Sequence, residues 1–128
     1  MHRIIACGID MIEIARVRQV AERFGARFLE RVYSVWEREH ATARRDPGPY
    51  FAGRFAAKEA VLKVLGCGLF AGVPLSAIEI RAKESGELFC VLAGPARERA
   101  AQVGITRIVV SISHCDSYAV AQAIGVEE

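Results

Sequence analysis

The chain has 128 residues, which suits one domain spanning residues 1–128, and 52% of them are hydrophobic, which excludes a disordered protein. Its net charge of +2 is too small to indicate nucleic-acid binding, and no apolar run approaches the roughly 18 residues of a membrane span. The N-terminus does not have the pattern of a secretory signal, and the cysteines form no C-x-x-C pair, so we expect four free thiols and a cytoplasmic location. The surplus of apolar residues suits an oligomer interface.

Helices are predicted mainly in the first half of the chain and strands mainly in the second. In chain order we expect a strand at 3–9, a helix at 10–25, a helix beginning at Ser34, a turn at 46–50, a helix at 51–66 and a loop at 67–74. The second half is predicted to contain two strands within 77–92, a helix at 95–104, and strands at 107–113 and 118–124. This order favours an α+β fold in which an antiparallel sheet packs with helices.

The predicted helix at 51–66 combines apolar residues on nearly every side with four charges. Arg54 and Lys58 share one stripe, and Glu59 and Lys63 share another, so the charges lie on a helix that should be largely buried. Glu59 and Lys63 are spaced to pair with each other, which is a purely structural explanation. Arg54 and Lys58 repel each other, and a bound anion would reverse that repulsion. The helix alone leaves both explanations open.

Asp10 and His114 are two further candidate site residues. Asp10 and Glu13 have the spacing of a capping box at a helix start, which is the favoured explanation of Asp10 by itself, although a capping carboxylate has further lone pairs with which to bind a metal. Mg²⁺ typically uses one or two protein carboxylates, so Asp10 and Glu59 would suffice if the fold brings them together. His114 follows a predicted strand and is either structural, exposed or placed beside a phosphate.

Three segments together resemble the holo-[acyl-carrier-protein] synthase family, the small bacterial 4′-phosphopantetheinyl transferases. They are "GIDMIEIARV", "FAGRFAAKEAVLKVLG" and "SISHCDSYAVAQAI", and they occur in the family's order over nearly the whole chain. The resemblance implies transfer of 4′-phosphopantetheine from coenzyme A to a serine of apo acyl carrier protein, in support of fatty acid biosynthesis. The second product would be adenosine 3′,5′-bisphosphate.

The resemblance also implies roles for individual residues. Asp10 and Glu59 would bind Mg²⁺, and both would act in catalysis with Lys63. The residues implied to contact coenzyme A are Arg54, Lys58, Lys63, Ser113 and His114. His114 and Ser113 would come from a neighbouring subunit, because the family forms homotrimers with active sites at subunit interfaces.

The resemblance implies that an acidic carrier protein docks on a positive stripe that begins on the first predicted helix and continues just beyond it. Arginines alternate there with apolar residues, which suits an interface, although such stripes are usually only solvated. The residues assigned to this surface are Arg16, Val20, Arg23, Arg27, Phe28 and Arg31. A Mg²⁺-dependent hydrolase of a nucleotide diphosphate would not need that surface, and a non-catalytic basic module would leave Asp10 and Glu59 without a role.

Overall fold

A five-stranded antiparallel sheet organises the part of the chain that the computed structural model describes, residues 2–68 and 72–128. The elements are β1 (Arg3–Glu13), α1 (Ile14–Phe24), α2 (Ala26–Val32), α3 (Val35–Thr42), α4 (Gly48–Val64), a 3₁₀ helix (Leu75–Ala77), β2 (Ile78–Ala82), β3 (Leu88–Leu92), α5 (Gly94–Val103), β4 (Arg107–His114) and β5 (Tyr118–Glu127). The strand order is β1-β5-β4-β3-β2, and every neighbouring pair is antiparallel. The predicted α+β fold is confirmed. Within the described residues, no helix has both the length and the apolar character needed to cross a membrane.

Helix α4 packs against the sheet and is buried along most of its length, as its sequence predicted. Two glycines allow this close packing. A Cβ atom at Gly8 of β1 would lie 2.3 Å from the carbonyl oxygen of Ala60, and one at Gly53 of α4 would lie 2.9 Å from the side chain of Ile112 on β4. The first glycine brings β1 against the C-terminal half of α4, and the second brings β4 against its N-terminal half.

Strand β1 is longer than predicted, and this corrects the structural explanation of Asp10. The strand continues to Glu13, with Asp10 opposite Ala121 of β5, and α1 begins at Ile14 with Glu13 in the N-cap position. The capping-box prediction for Asp10 is therefore wrong. The ladder with the long partner strand β5 outweighs the helical pattern of residues 10–13, because tertiary pairing overrides weak local propensity.

The arginine-rich region forms two helices, and the first ends at the predicted glycine stop. Gly25 has a φ of 56° and a ψ of −136°, a conformation that favours glycine, and the chain turns there between α1 and α2. Downstream, the predicted capping box at Ser34 and Glu37 is confirmed, with each residue's side chain accepting from the other's backbone N–H. The predicted turn at 46–50 is shorter than expected, because α4 already begins at Gly48.

Candidate active site

One cluster of charged side chains lies where β1 meets the C-terminal half of α4. Lys63 Nζ lies 3.4 Å from Asp10 Oδ1 and donates a hydrogen bond of 2.7 Å to the carbonyl of Ile9. The Lys63 side chain is 53% exposed and the Asp10 side chain 25%, so this group is open to solvent. Lys63 therefore pairs with Asp10 rather than with Glu59, the partner that helical spacing suggested.

Glu59 belongs to the same cluster and feels the charge of Asp10. Burial is the main cause that raises the pKa of Glu59, the Asp10 carboxylate raises it further, and Lys63 opposes the shift. This arrangement suits two ligands bound side by side: a cation between the two carboxylates, which would relieve their repulsion, and an anion beside the ammonium of Lys63. No group of three possible metal ligands from His, Cys, Asp and Glu occurs among residues 2–68 and 72–128. Two carboxylates still agree with Mg²⁺, which completes its shell with water and phosphate oxygens.

A second cluster forms an arginine cavity between the N-terminal half of α4 and the end of β4. The cavity has a volume of about 430 Å³, and its polar side chains include Arg44, Arg45, Arg54 and His114. The guanidinium carbons of Arg54 and Arg44 lie 4.2 Å and 4.4 Å from the ring centre of Tyr50, so one aromatic ring orients both cations.

Arg54 is the most deeply placed cation of the arginine cavity. Its residue is only 8% exposed, and burial is the main cause that lowers its pKa. Its Nε atom is buried without a hydrogen-bond partner in the part of the chain that the structure describes. A buried guanidinium with a free donor, close to two further arginines, is suited to bind a phosphate.

Lys58 does not lie where the family resemblance implied. Its side chain is fully buried, and Nζ lies 2.7 Å from Glu37 Oε1, which is equally buried. Nζ also donates to the backbone carbonyls of Leu75 and Ile78. This environment argues against a contact between Lys58 and a phosphate, because all three donors of the ammonium already have protein acceptors.

Ser113 and His114 point to opposite faces of the sheet. They are consecutive residues of β4, opposite Val120 and Ala119 of β5 respectively. His114 therefore shares the face of the sheet that packs on α4, where Ala119 is buried, and it lines the arginine cavity. Ser113 lies on the other face, so one chain does not bring these two predicted coenzyme contacts together.

The predicted docking residues line two adjoining clefts on the surface of α1 and α2. One cleft, of about 400 Å³, includes Arg16, Val20 and Arg23, and the other, of about 390 Å³, includes Val20, Arg27, Phe28 and Arg31. Phe24 lines both clefts and is 54% exposed. All six residues named from the sequence thus share one surface, even though Gly25 divides the helix.

Several residues of these sites were not predicted from the sequence, although some of them belong to recognisable sequence patterns. Phe24 lies four residues after Val20, the spacing that places two side chains on one helical face. Arg44 and Arg45 are adjacent cations immediately before a turn, a pattern to which no function was assigned. Glu37 was recognised as a capping residue, but its pairing with Lys58 had no local signal because 20 residues separate them.

The chain matches a known protein family. The family model for the 4′-phosphopantetheinyl transferase superfamily matches residues 6–123. The chain belongs to this superfamily. It is 40% identical over 126 residues to the holo-[acyl-carrier-protein] synthase of Chlamydia pneumoniae, covering 95% of this chain and 97% of that relative. The resemblance drawn from the three sequence segments is thereby confirmed.

Solved structures of superfamily members share the fold of this transferase. The acyl carrier protein synthase of Plasmodium yoelii with ADP bound aligns with a TM-score of 0.89 and 31% identity, covering 100% of this chain and 98% of that one. The holo-[acyl-carrier-protein] synthase of Helicobacter pylori in complex with coenzyme A aligns with a TM-score of 0.82 and 29% identity, covering 94% and 99%.

Proposed function

We propose that the protein transfers the 4′-phosphopantetheine group from coenzyme A to a serine of apo acyl carrier protein, releasing adenosine 3′,5′-bisphosphate. The observation that carries this proposal is the presence along α4 of two separate sites, the arginine cavity and the cluster of Asp10, Glu59 and Lys63 that suits a metal ion with its anion. In the proposed homotrimer, the arginine cavity of one subunit would face the Asp10, Glu59 and Lys63 of a neighbouring subunit, so that two chains complete one site. Coenzyme A has a diphosphate and a separate 3′-phosphate, and the two sites offer one partner for each.

One of the two sites binds the reacting diphosphate, and the other binds the 3′-phosphate. Asp10 and Glu59 would hold Mg²⁺, which when bound supplies positive charge to balance the diphosphate. Lys63 donates to the diphosphate and stabilises the negative charge that accumulates there during transfer. Arg44, Arg45, Arg54 and His114 bind the 3′-phosphate and anchor the nucleotide end.

The transferred group moves by one displacement at phosphorus. The hydroxyl oxygen of the carrier serine forms a bond to the phosphorus that bears pantetheine, and the bond from that phosphorus to the bridging oxygen breaks. The electron pair leaves with adenosine 3′,5′-bisphosphate, and the proton of the hydroxyl passes to Glu59 or to water. Glu59 is a candidate acceptor because its carboxylate lies in the same cluster as Asp10 and Lys63.

The docking surface distinguishes a transferase from a hydrolase. The clefts on α1 and α2 combine four arginines with exposed or half-buried apolar side chains. Such a surface complements an acidic protein, since charge steers the encounter and apolar contacts hold the complex. A hydrolase of a small nucleotide has no use for it.

The active form is proposed to be a homotrimer with active sites at subunit interfaces. The face of the sheet opposite α4 supports this assembly, because it exposes apolar side chains that a partner subunit would cover. Ile9 and Met11 of β1 are 61% and 63% exposed there, and Val91 and Val109 are 40% and 41% exposed. Ser113 lies on the same face, where a neighbouring subunit can reach it.

Subunit mixing tests the shared site. Asp10→Ala and His114→Ala proteins, each weak or inactive alone, are mixed under conditions in which chains exchange. If Asp10 of one subunit works with His114 of another, some interfaces regain both residues and activity returns. Absence of recovery, with exchange verified by native mass spectrometry, would contradict shared sites, and a fully active monomer would contradict the trimer.

We place this activity in the cytoplasm and in fatty acid biosynthesis. The four cysteines are free thiols, which is the usual state in a reducing compartment. The deciding experiment for the reaction is mass spectrometry of apo acyl carrier protein after incubation with coenzyme A, Mg²⁺ and this protein. A mass gain of one phosphopantetheine is expected. Cleavage of coenzyme A without modification of the carrier would favour the hydrolase instead.

A further inference from the structure

We infer that Glu37 and Lys58 are positioning residues: their buried ion pair holds α3 so that Arg44 and Arg45, just beyond that helix, face the arginine cavity. This inference rests on the proposed role of the cavity in binding the 3′-phosphate of coenzyme A. It assigns Lys58 an indirect role in coenzyme binding, in place of a contact with a phosphate.

The ion pair joins four elements at one buried point. Lys58 comes from the middle of α4, and Glu37 comes from the first turn of α3. One carboxylate oxygen of Glu37 accepts from the backbone N–H of Ser34, and the other accepts from the N–H of Ile80 on β2, each at 2.8 Å. The ammonium donates to the carbonyl of Leu75 in the 3₁₀ helix, to the carbonyl of Ile78 directly after that helix, and to Glu37. Every charged atom of the pair therefore has a partner, which is the condition under which a buried pair specifies one arrangement.

Helix α3 depends on this pair because few of its side chains are buried. It has eight residues, and only Glu37 and Ala41 among them are buried. A helix of that length is not stable by itself and needs tertiary contacts. Ala41 contributes a single methyl group, and the ring centre of the half-buried Trp36 lies 5.6 Å from the guanidinium carbon of Arg81 on β2. The Glu37 carboxylate therefore provides the fully buried polar attachment of the helix to both α4 and β2.

The end of α3 leads directly into the arginine cavity. The helix ends at Thr42, and the backbone N–H of Arg44 donates to the carbonyl of Ala41 at 3.1 Å. The Arg44 guanidinium then lies over Tyr50, and Arg45 lines the same cavity. A displacement of α3 would therefore move both arginines. Asp10 and Lys63 lie at the other end of α4 and should not move with them.

The test separates binding of coenzyme A from turnover. Glu37→Gln removes the charge of the carboxylate at nearly constant volume. We expect the KM for coenzyme A and the Kd for adenosine 3′,5′-bisphosphate, measured by calorimetry, to rise about tenfold, the equivalent of roughly one charge-assisted hydrogen bond. The kcat should stay within about twofold and the KM for the carrier should not change, because the reacting groups keep their positions.

Two control variants make the result specific. Ile105→Ala removes a core side chain that packs near Gly125 of β5, away from α3, and measures the effect of lost stability alone. Arg54→Ala removes the deepest cation of the cavity. If Arg54→Ala binds adenosine 3′,5′-bisphosphate as the unaltered protein does, the proposed 3′-phosphate site fails. If Arg54→Ala weakens binding and Glu37→Gln does not, only the positioning role fails.

Other outcomes also decide the question. An equal rise in the KM for coenzyme A in Ile105→Ala would mean that destabilisation alone is responsible, and would overturn the inference. If Glu37→Gln does not fold, the double variant Glu37→Met/Lys58→Met replaces both charges with apolar groups of similar size, a change that buried pairs often tolerate. A folded double variant with an unchanged KM for coenzyme A would likewise overturn it.

Discussion

Two lysines on α4, five residues apart, each face a carboxylate from a distant part of the chain, and their surroundings differ completely. Lys58 and Glu37 are 2.7 Å apart and both fully buried, whereas Lys63 and Asp10 are 3.4 Å apart and both partly exposed. The closed pair has protein partners for every charge. The open pair has a second carboxylate, Glu59, beside it and room for a ligand. The role of each lysine therefore follows from the groups that already surround its ammonium.

The largest expected effect comes from breaking the open site. Asp10→Asn and Glu59→Gln should each reduce transfer by at least about a hundredfold, because each removes one of the two charges proposed to bind Mg²⁺. The fold should survive, since Asp10 is a strand residue near the surface. The measurement is turnover across a Mg²⁺ titration together with thermal melting. Full activity of Asp10→Asn at low Mg²⁺ would show that Asp10 is not a ligand.

Breaking the closed pair should instead affect stability. Lys58→Met leaves the Glu37 carboxylate buried without its counter-ion, which typically costs about 3–5 kcal/mol of unfolding free energy. The matched change Lys63→Met should cost less than about 1 kcal/mol, because its pair is exposed and screened. Urea denaturation of the two variants measures the difference directly. Equal losses of stability in both would contradict the distinction between the pairs.

The proposed docking surface lies outside both pairs and should give a smaller, separable effect. Reversing Arg16 and Arg23 to glutamate should raise the KM for the carrier protein and leave binding of coenzyme A nearly unchanged, because these arginines line a cleft that shares no residue with the arginine cavity. The wild-type rate at low carrier concentration should also fall as salt rises. A carrier KM that responds to neither the charge reversals nor salt would leave this surface without a docking role.

The open site, unlike the closed pair, should lower the stability of the metal-free protein. Asp10 and Glu59 repel each other in the absence of a cation, so Glu59→Gln should raise the melting temperature in metal-free buffer by about 2–4 °C. Adding Mg²⁺ should stabilise the wild-type protein more than the variant. Melting curves with chelator and with Mg²⁺ test this. A lower metal-free melting temperature for Glu59→Gln would count against repulsion between these carboxylates.

The smallest effect is expected at a third, exposed pair. Arg18 donates two hydrogen bonds to Asp46, of 2.6 Å and 2.8 Å, and this guanidinium is the main cause that lowers the pKa of Asp46 from 3.8 to about 2. A lowered carboxyl pKa stabilises the fold above the unfolded pKa, and that contribution is lost as pH falls from about 3.8 to about 2. Asp46→Asn should therefore melt slightly below wild type at pH 7, with a difference that shrinks through this range. A difference that persists unchanged at pH 2 would have another cause.

Several features of this protein can be predicted from local sequence, because they depend on interactions between residues close together in the chain. The capping box at Ser34 and Glu37, the glycine stop at Gly25 and the buried character of α4 depend on neighbours within a few residues, and all three appear as predicted. The motifs also sufficed to recognise the family, and the six docking residues share one surface because they lie close together in the chain.

Which charge meets which partner was decided only by the tertiary structure. Lys58 and Lys63 have the same chemistry and similar neighbours in sequence, but one meets Glu37, 21 residues away, and the other meets Asp10, 53 residues away. The length of β1 depends on pairing with β5 at the other end of the chain, and this pairing makes Asp10 a strand residue rather than a helix cap. The arginine cavity likewise forms where the end of α3 meets α4 and β4. Local patterns specify where helices and strands can form, whereas the environment of a charge depends on long-range packing. That environment decides whether a charged side chain forms a buried structural ion pair or part of a binding site.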